Sequence, residues 1–498
     1  MATETIPADA PPVARTPMIH MPGADPAEAV SALVRQTVEF LVVLSLGIML
    51  FRTFAAEAYI VPTGSMAPTL VGHHKDVNCG HCGFHYVMGI DDQGRAGRPV
   101  CPNCGTHGPD LAASAASNGD RLLVQKYLFD LRPPRRWEVA VFQSLSEPNQ
   151  AYVKRVVGLP GEAIQLRGGD VYIDGKVARK DLAEVRATRL VVFDNNFVPA
   201  DADRFPRWAF RRARQRSNAP SGWKAAGTGF VHEPSKVDGP SVDWIDYRHW
   251  DPDTGRYGPV RDVVAYNGGD VRAEDPVRDL MFEARVSARP DVPSLVVRVD
   301  SGSDVVLVTL PVESRAQPEV RYNGKLIAPE NVRGSLVSSP AGAPRLQRLE
   351  VGVIDRRLLV AIDGALAFDP IDFDGPVGAG PGRFATPISV GVPYGGVTLS
   401  DLKIYRDVYY TGALSGGLRR PAGVDAPYLL KQGEFFVLGD NSPVSNDSRF
   451  WATGPVVRRR DFLGKPFLVH LPGRLAILQV FGRTICRIPD PREIRYIR

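Results

Sequence analysis

Cysteine is scarce in this 498-residue chain: there are five, of which four fall in two tight pairs, Cys79/Cys82 and Cys101/Cys104, and Cys486 stands alone. An odd count with clustered pairs does not make a disulfide framework. Charge of one sign is also lacking. Sixty Lys and Arg face 55 Asp and Glu, a formal net charge of +5, and the basic residues form no long run. Nothing there points to a nucleic-acid footprint. Long helical patterns are scarce past residue 60, and there is no convincing internal repeat. Gly (48) and Pro (43), by contrast, are plentiful. Short strands between many turns follow, so the chain reads as mainly β, and its length holds two or three domains.

Long apolar runs are missing too, with one exception. Phe40-Leu-Val-Val-Leu-Ser-Leu-Gly-Ile-Met-Leu-Phe51 carries no charge over 12 residues, whereas a spanning helix needs about 20. Widening it to Thr37–Ala58 reaches that length and takes in Glu39, Arg52 and Glu57, all near the ends, where Arg can snorkel toward headgroups. The reading is an uncleaved transmembrane anchor over 36–58, behind a disordered, Ala- and Pro-rich tail over 1–35. A buried core helix is one alternative, but no amphipathic partner helices are evident nearby. A cleavable signal peptide is the other, since Ala56-Glu57-Ala58 resembles an A-x-A site. Against it, more than 30 residues precede the run, beyond a normal n-region. Arg15 and Arg35 lie before the anchor, so the positive-inside rule puts the tail in the cytoplasm and everything after about residue 58 outside.

From Tyr59 onward the pattern is short β-like runs: Arg121-Leu-Leu-Val-Gln-Lys126, Glu138-Val-Ala-Val-Phe142, Tyr152-Val-Lys-Arg-Val-Val157 and Asp170-Val-Tyr-Ile173, the last followed by Asp174-Gly175 as a hairpin turn signal. A comparable run, Glu434-Phe-Phe-Val-Leu438, returns only much later. Between them, over 184–425, regularly spaced alternating strands such as Leu280–Val286, Ser294–Val299 and Val305–Thr309 suggest a separate β-sandwich inserted into a core formed by 59–183 and 426–498.

Three stretches carry chemistry. In Val61-Pro-Thr-Gly-Ser-Met-Ala-Pro-Thr-Leu70, a serine after glycine sits between prolines. Such a constrained turn can expose a hydroxyl and a free backbone N–H together, as a nucleophile and half an oxyanion hole require. In Tyr152-Val-Lys-Arg-Val-Val-Gly-Leu-Pro-Gly-Glu162, Lys154 is flanked by apolar residues. A lysine is a general base only if burial lowers its pKa toward neutrality. The third, Gly439-Asp-Asn-Ser-Pro-Val-Ser-Asn-Asp-Ser-Arg-Phe-Trp451, is dense in short polar side chains after an apolar strand. Each alone also reads blandly, as a surface turn, an exposed strand lysine and a polar loop.

Taken in order, with Gly119-Asp120 opening an apolar strand between the first two, these boxes resemble those of type I signal peptidases. The resemblance covers about 36–78, 118–180 and 428–475 and implies a role for each matching residue. Ser65 is the nucleophile and Lys154 the general base of a Ser-Lys dyad. Ser445 hydrogen-bonds the lysine, and Thr63 completes the oxyanion hole with the Ser65 N–H. Asp440, Asp447, Arg155 and Arg449 brace the site. Tyr59, Val61, Met66, Leu70, Tyr152 and Val153 line shallow pockets for small side chains. The activity implied is removal of signal peptides from secretory preproteins after A-x-A, with no cofactor for catalysis. The implied location is the bacterial inner membrane, single-pass and in contact with its lipid, with the catalytic domain on the extracytoplasmic side.

Two departures from that family stand out. Cys79-Gly-His-Cys82 and Cys101-Pro-Asn-Cys104, 18 residues apart, make a zinc-ribbon-like insertion over 73–110, with structural zinc on four thiolates or, alternatively, two disulfides. His73, His74, His81, His85 and His107 lie close by but are not needed as ligands. Phrases such as Arg348-Leu-Glu-Val-Gly-Val-Ile-Asp-Arg-Arg-Leu-Leu-Val-Ala-Ile-Asp-Gly364 look like concanavalin-like or laminin-G-like jelly rolls. An unknown glycan or protein is the partner such an insertion suggests. A catalytically inactive, membrane-tethered binding scaffold is the competing function. A self-cleaving repressor-type peptidase would need a helix-turn-helix where the apolar anchor stands, and no nucleic-acid partner is expected.

Overall fold

The computed structural model describes residues 26–50, 56–91, 93–144, 150–212, 221–233, 242–252, 254–270, 275–302, 304–312, 316–340, 344–373, 386–412, 421–452, 454–480 and 483–497. It falls into two units, one ending at Ala55 and one running from Ala56 onward.

In the first unit, helix α1 spans Pro26–Leu50. Of the expected tail, 1–25 lie outside the described residues, and 26–35 are helical rather than disordered. Pro is favoured in a helix's first turn, and Ala27-Glu-Ala29 are strong helix formers, so the helix starts upstream of its apolar stretch. Within it, Val30–Met49 is long and apolar enough to cross a membrane. Its apolar side chains are exposed, Phe40 by 65% and Val43 by 68%, which is costly for a helix in water and ordinary for one in lipid. The expected anchor over 36–58 ends early, because Ala56–Ile60 is strand β1.

The second unit is all β but for short helical turns. After β1 come a hairpin, β2 (His74–Asn78) and β3 (His85–Gly89), then β4 (Arg121–Gln125), β5 (Val139–Gln143) and β6 (Ala151–Gly158). The core sheet is antiparallel. Its order is β1, β4, Phe462–Leu471, β5, β6, Glu434–Leu438 and Val457–Arg458, with Arg495–Tyr496 added to Phe462–Leu471. Chain from both sides of the insertion therefore builds one sheet. Beneath it Val61, Met66, Leu70, Leu122, Val124, Val139, Val141 and Val469 form a buried cluster, each such side chain contributing roughly 1.5–3 kcal/mol. A smaller sheet pairs Ala163–Arg167 with Asp170–Ile173 and with Tyr428–Leu429. Its Asp174-Gly175 turn has both residues at positive φ (50° and 79°), as a two-residue hairpin of this sequence demands.

The insertion is a sandwich of a nine-stranded and a seven-stranded sheet. By its strands it runs from Leu190 to Arg406, inside the expected 184–425. Val297, Val308, Val351, Val360, Val390 and Leu399 are among the side chains from both sheets that fill its core. This is the mainly β architecture, with an inserted β-sandwich, read from the sequence.

Candidate functional site

Ser65 lies in a 3-10 turn, Gly64–Met66. Its N–H is in the first turn, where backbone donors have no intrahelical acceptor and remain free to meet a developing negative charge. Lys154 lies in β6, in register with Ala140 of β5. The two meet: Lys154 Nζ donates to Ser65 Oγ at 2.6 Å. Thr63 Oγ1 donates to the same oxygen at 3.4 Å. Lys154 is 4% exposed and Ser65 8%. Burial lowers the lysine from 10.5 to about 8; Asp447 and Asp440 push back, and Arg449 assists the lowering.

The bracing residues explain why those carboxylates do not win. Arg155 holds Asp440 through two bonds, Nε to Oδ1 at 2.8 Å and NH2 to Oδ2 at 2.6 Å, and its NH1 donates to the Trp137 carbonyl at 2.7 Å. Arg449 likewise forks onto Asp447 at 2.8 Å and 2.8 Å, while its NH1 reaches Thr411 O and Ser442 Oγ. Asp447 also accepts from Gly439 N at 3.0 Å. Each acid near the lysine thus has its own guanidinium, in the bidentate geometry that arginine favours.

Ser445 departs from the expected role. It is fully buried, but its Oγ makes no hydrogen bond among the described residues, to Lys154 or otherwise. The oxygen rests on Gly439, where an added Cβ would lie 2.2 Å from it, while Lys154 Nζ is turned to Ser65. A buried hydroxyl left unpaired is uncommon and costs stability.

A cleft of about 300 Å³ opens over the pair. Tyr59, Val61, Tyr152 and Val153 line it, as expected, but Met66 and Leu70 do not. Those two are completely buried in the cluster below, because the 3-10 turn that lifts Ser65 toward the cleft turns its neighbours inward. Ile60, Pro62, Ala151, Val444 and Asn446 also form walls, and so does Tyr266. Asn441 completes the support of the serine: its N–H donates to Ser65 O at 3.0 Å and its Nδ2 to Gly64 O at 2.9 Å. Asn441 stands inside the quoted third box, whereas no local signal marks Tyr266.

The four paired cysteines form one cluster. Cys79 Sγ is 3.6 Å from Cys104 Sγ, and Cys82 Sγ 3.7 Å from Cys101 Sγ. All four sulfurs lie within 4.8 Å of one another, and all four are free thiols. A disulfide needs about 2.05 Å, whereas sulfurs about 2.3 Å from a shared tetrahedral zinc sit about 3.8 Å apart. The cluster therefore fits a metal. No histidine joins it among the described residues; His81 instead faces Thr106 and Asp201. A second cluster, Asp170, Asp279 and Asp355, gathers within 4.8 Å. Burial and the neighbouring carboxylates push Asp170 up to about 8, while Asp355 pairs with Lys180 at 3.0 Å. The side chain of Cys486 lies outside the described residues.

The family model described as signal peptidase, peptidase S26, matches residues 112–220 and 410–471. The match takes in Lys154, Arg155, Asp440, Ser445, Asp447 and Arg449, begins after Ser65, and breaks across the sandwich. Signal peptidase I of Leptolyngbya laminosa is 33% identical over 174 residues, 33% of this chain and 61% of that protein. Probable signal peptidase I-2 of Synechocystis is 30% identical over 27% of this chain and 42% of its own length. For signal peptidase I of Pseudomonas fluorescens the figures are 30%, 27% and 36%. The chain thus spans about three-fifths or less of these curated relatives. The Bacillus subtilis carbohydrate-binding module CBM66 is similar over 40% of this chain and 92% of its own, at 9% identity and a TM-score of 0.20. That likeness is too slight to add to the two sheets described above.

Proposed function

We propose that this chain, whose divided core resembles the type I signal peptidases, is a membrane-anchored endopeptidase that removes signal peptides from exported preproteins after A-x-A, with Ser65 and Lys154 as a catalytic dyad. The observation that carries the reading is a buried lysine, lowered to about 8, with its Nζ 2.6 Å from a serine hydroxyl at the floor of an apolar cleft. Helix α1 would hold the chain in the bacterial inner membrane with the catalytic unit outside. The role of the sandwich as a docking module for a glycan or protein belongs to the same proposal.

Neutral Lys154 accepts the Ser65 proton, and Ser65 Oγ attacks the scissile carbonyl. The resulting oxyanion takes hydrogen bonds from the Ser65 N–H and the Thr63 hydroxyl. Lys154, now an ammonium, gives its proton to the leaving amine as the C–N bond breaks. It then takes a proton from water, whose oxygen attacks the Ser65 ester, and returns that proton to Ser65 Oγ as the acyl C–O bond breaks, restoring the serine and the neutral lysine with release of the acid. Histidine has no step in this sequence. Ser445 would meet the lysine only after its side chain turns from Gly439. Zinc on Cys79, Cys82, Cys101 and Cys104 would be structural, since four thiolates leave no open position for substrate.

The test is cleavage, in detergent, of a preprotein with an A-x-A junction. The parent should cut after the small residue, and Ser65→Ala and Lys154→Ala should each lose at least about 10⁴-fold in kcat. A folded parent inert toward several preproteins sinks the reading and leaves the binding-scaffold function in its place.

A further inference from the structure

The two departures from the family pattern, the cysteine hairpins and the inserted sandwich, meet at one turn. Ala265–Asp270 belongs to the insertion, yet Tyr266 is a wall of the cleft over Ser65 and Lys154. Its ring lies between two glycines. A Cβ built on Gly64, next to the nucleophile, would come within 1.9 Å of Tyr266 Cε1, and one on Gly89, at the end of β3, within 2.2 Å. Either side chain would displace the ring. The Tyr266 hydroxyl donates to His73 O at 2.6 Å.

The rest of the turn is fastened on both sides. Asn267 Nδ2 donates to Asn441 Oδ1 at 2.7 Å, and Asn441 Nδ2 returns a bond of 2.7 Å. Asn441 is the residue that holds the Gly64 and Ser65 carbonyls. Behind, Gly269 N donates to Arg98 O at 2.8 Å, from the stretch between the two cysteine pairs. Gly268 sits at φ 65° against Met88 and Arg98 O, where a side chain has neither room nor an allowed backbone. The ring is therefore locked by its surroundings, as a residue that must define a pocket wall needs to be.

We propose that Tyr266 is a specificity-determining wall of the substrate cleft, supplied by the sandwich insertion and braced from behind by the cysteine hairpins, which shuts out bulky side chains beside the scissile bond. The inference rests on the reading of that cleft as the peptide site. It gives the insertion a part in the reaction besides any docking role. The ring acts by steric exclusion, and its hydroxyl serves only to fix it.

The experiment measures kcat/KM on peptides built on one A-x-A junction, carrying Ala, Leu or Phe in turn at the residue before and after the bond. Parent, Tyr266→Ala and Tyr266→Phe are compared. The Leu-to-Ala and Phe-to-Ala ratios should rise about tenfold or more in Tyr266→Ala at one of the two positions, and should stay at the parental value in Tyr266→Phe. Unchanged ratios in a folded Tyr266→Ala overturn the proposal alone. So does a Tyr266→Phe shift as large as that of Tyr266→Ala, which would make the hydroxyl the cause. If Tyr266→Ala does not fold, Tyr266→Leu takes its place and the same ratios decide. A parent that cuts none of the peptides overturns this inference together with the peptidase reading.

Discussion

Two of the buried lysines, Lys154 and Lys180, meet opposite fates. Lys154 faces Ser65 with no carboxylate in contact, and burial lowers it to about 8. Lys180 lies at the seam between core and sandwich, 2% exposed, with Asp355 at 3.0 Å and Asp407 at 2.7 Å. Burial works against its charge too, but the two carboxylates outweigh it and hold Lys180 well above its ordinary value. Acids are not absent around Lys154; Asp440 and Asp447 are near, but Arg155 and Arg449 have claimed them. Desolvation alone thus does not make a base. The two arginines hold those acids off the lysine, and Arg449 adds to the lowering, so on the Ser-Lys reading the bracing pairs serve catalysis as well as stability. Trp137 links the regions: its carbonyl accepts from Arg155, and its ring stacks under Lys180 at 4.3 Å.

The sharpest break of this comparison is to remove each charge by the same substitution. Lys180→Met strands Asp355 and Asp407 in the seam and should cost about 3–5 kcal/mol of stability in urea unfolding. A loss below about 1 kcal/mol would mean that the seam is not held by this pair. Lys154→Met should do the reverse. The folded lysine sits at about 8 and the unfolded one at 10.5, so below pH 8 the unfolded state is favoured by about 3 kcal/mol through its proton. Removing the group should therefore stabilise the fold by about that much at pH 7. The gain should shrink as pH rises from 8 toward 10.5. If both variants lose stability alike at pH 7, the contrast between the lysines is wrong.

Much of this was legible beforehand because it is local. Runs such as Tyr152–Val157 became strands and Asp174-Gly175 made its turn, whereas the serine box just past β1 and Lys154 in β6 meet although β4, Phe462–Leu471 and β5 stand between their strands in the sheet. What the sequence hid is long-range or a matter of direction. Tyr266 and Asn267 reach the serine turn from about 200 residues away, across an insertion that carries no motif of the site. Met66 and Leu70 look like pocket residues by position, and only the pitch of a three-residue turn decides that they point down. Ser445 has the right place, but its Oγ rests on Gly439 rather than on the lysine, a choice of side-chain rotation that no spacing encodes. The helix takes in 26–35 because propensity, not apolarity, carries it upstream of the apolar run.

The pH profile sharpens the Lys154 side. Lysine is the base only when neutral, so kcat/KM should rise with pH along an acid limb whose midpoint is near 8, reporting the free enzyme. Lys180→Met should leave that limb where it is, since Lys180 stays charged throughout. A limb near 6.5 in the parent would point to a histidine instead.

The smallest expected effect is the most diagnostic in sign. Asp447 is the acid that most supports the charged form of Lys154. Asp447→Asn removes that support while Arg449, which opposes the charge, remains. The acid limb should therefore move to lower pH, by about one unit or less, even as the unpaired Arg449 lowers overall stability and turnover. General damage to the site would let water in and carry Lys154 back toward 10.5, moving the limb up. A downward shift alongside a loss of stability thus isolates the electrostatic role of the bracing pairs. An upward or absent shift would mean that Asp447 and Arg449 hold the loop and nothing more.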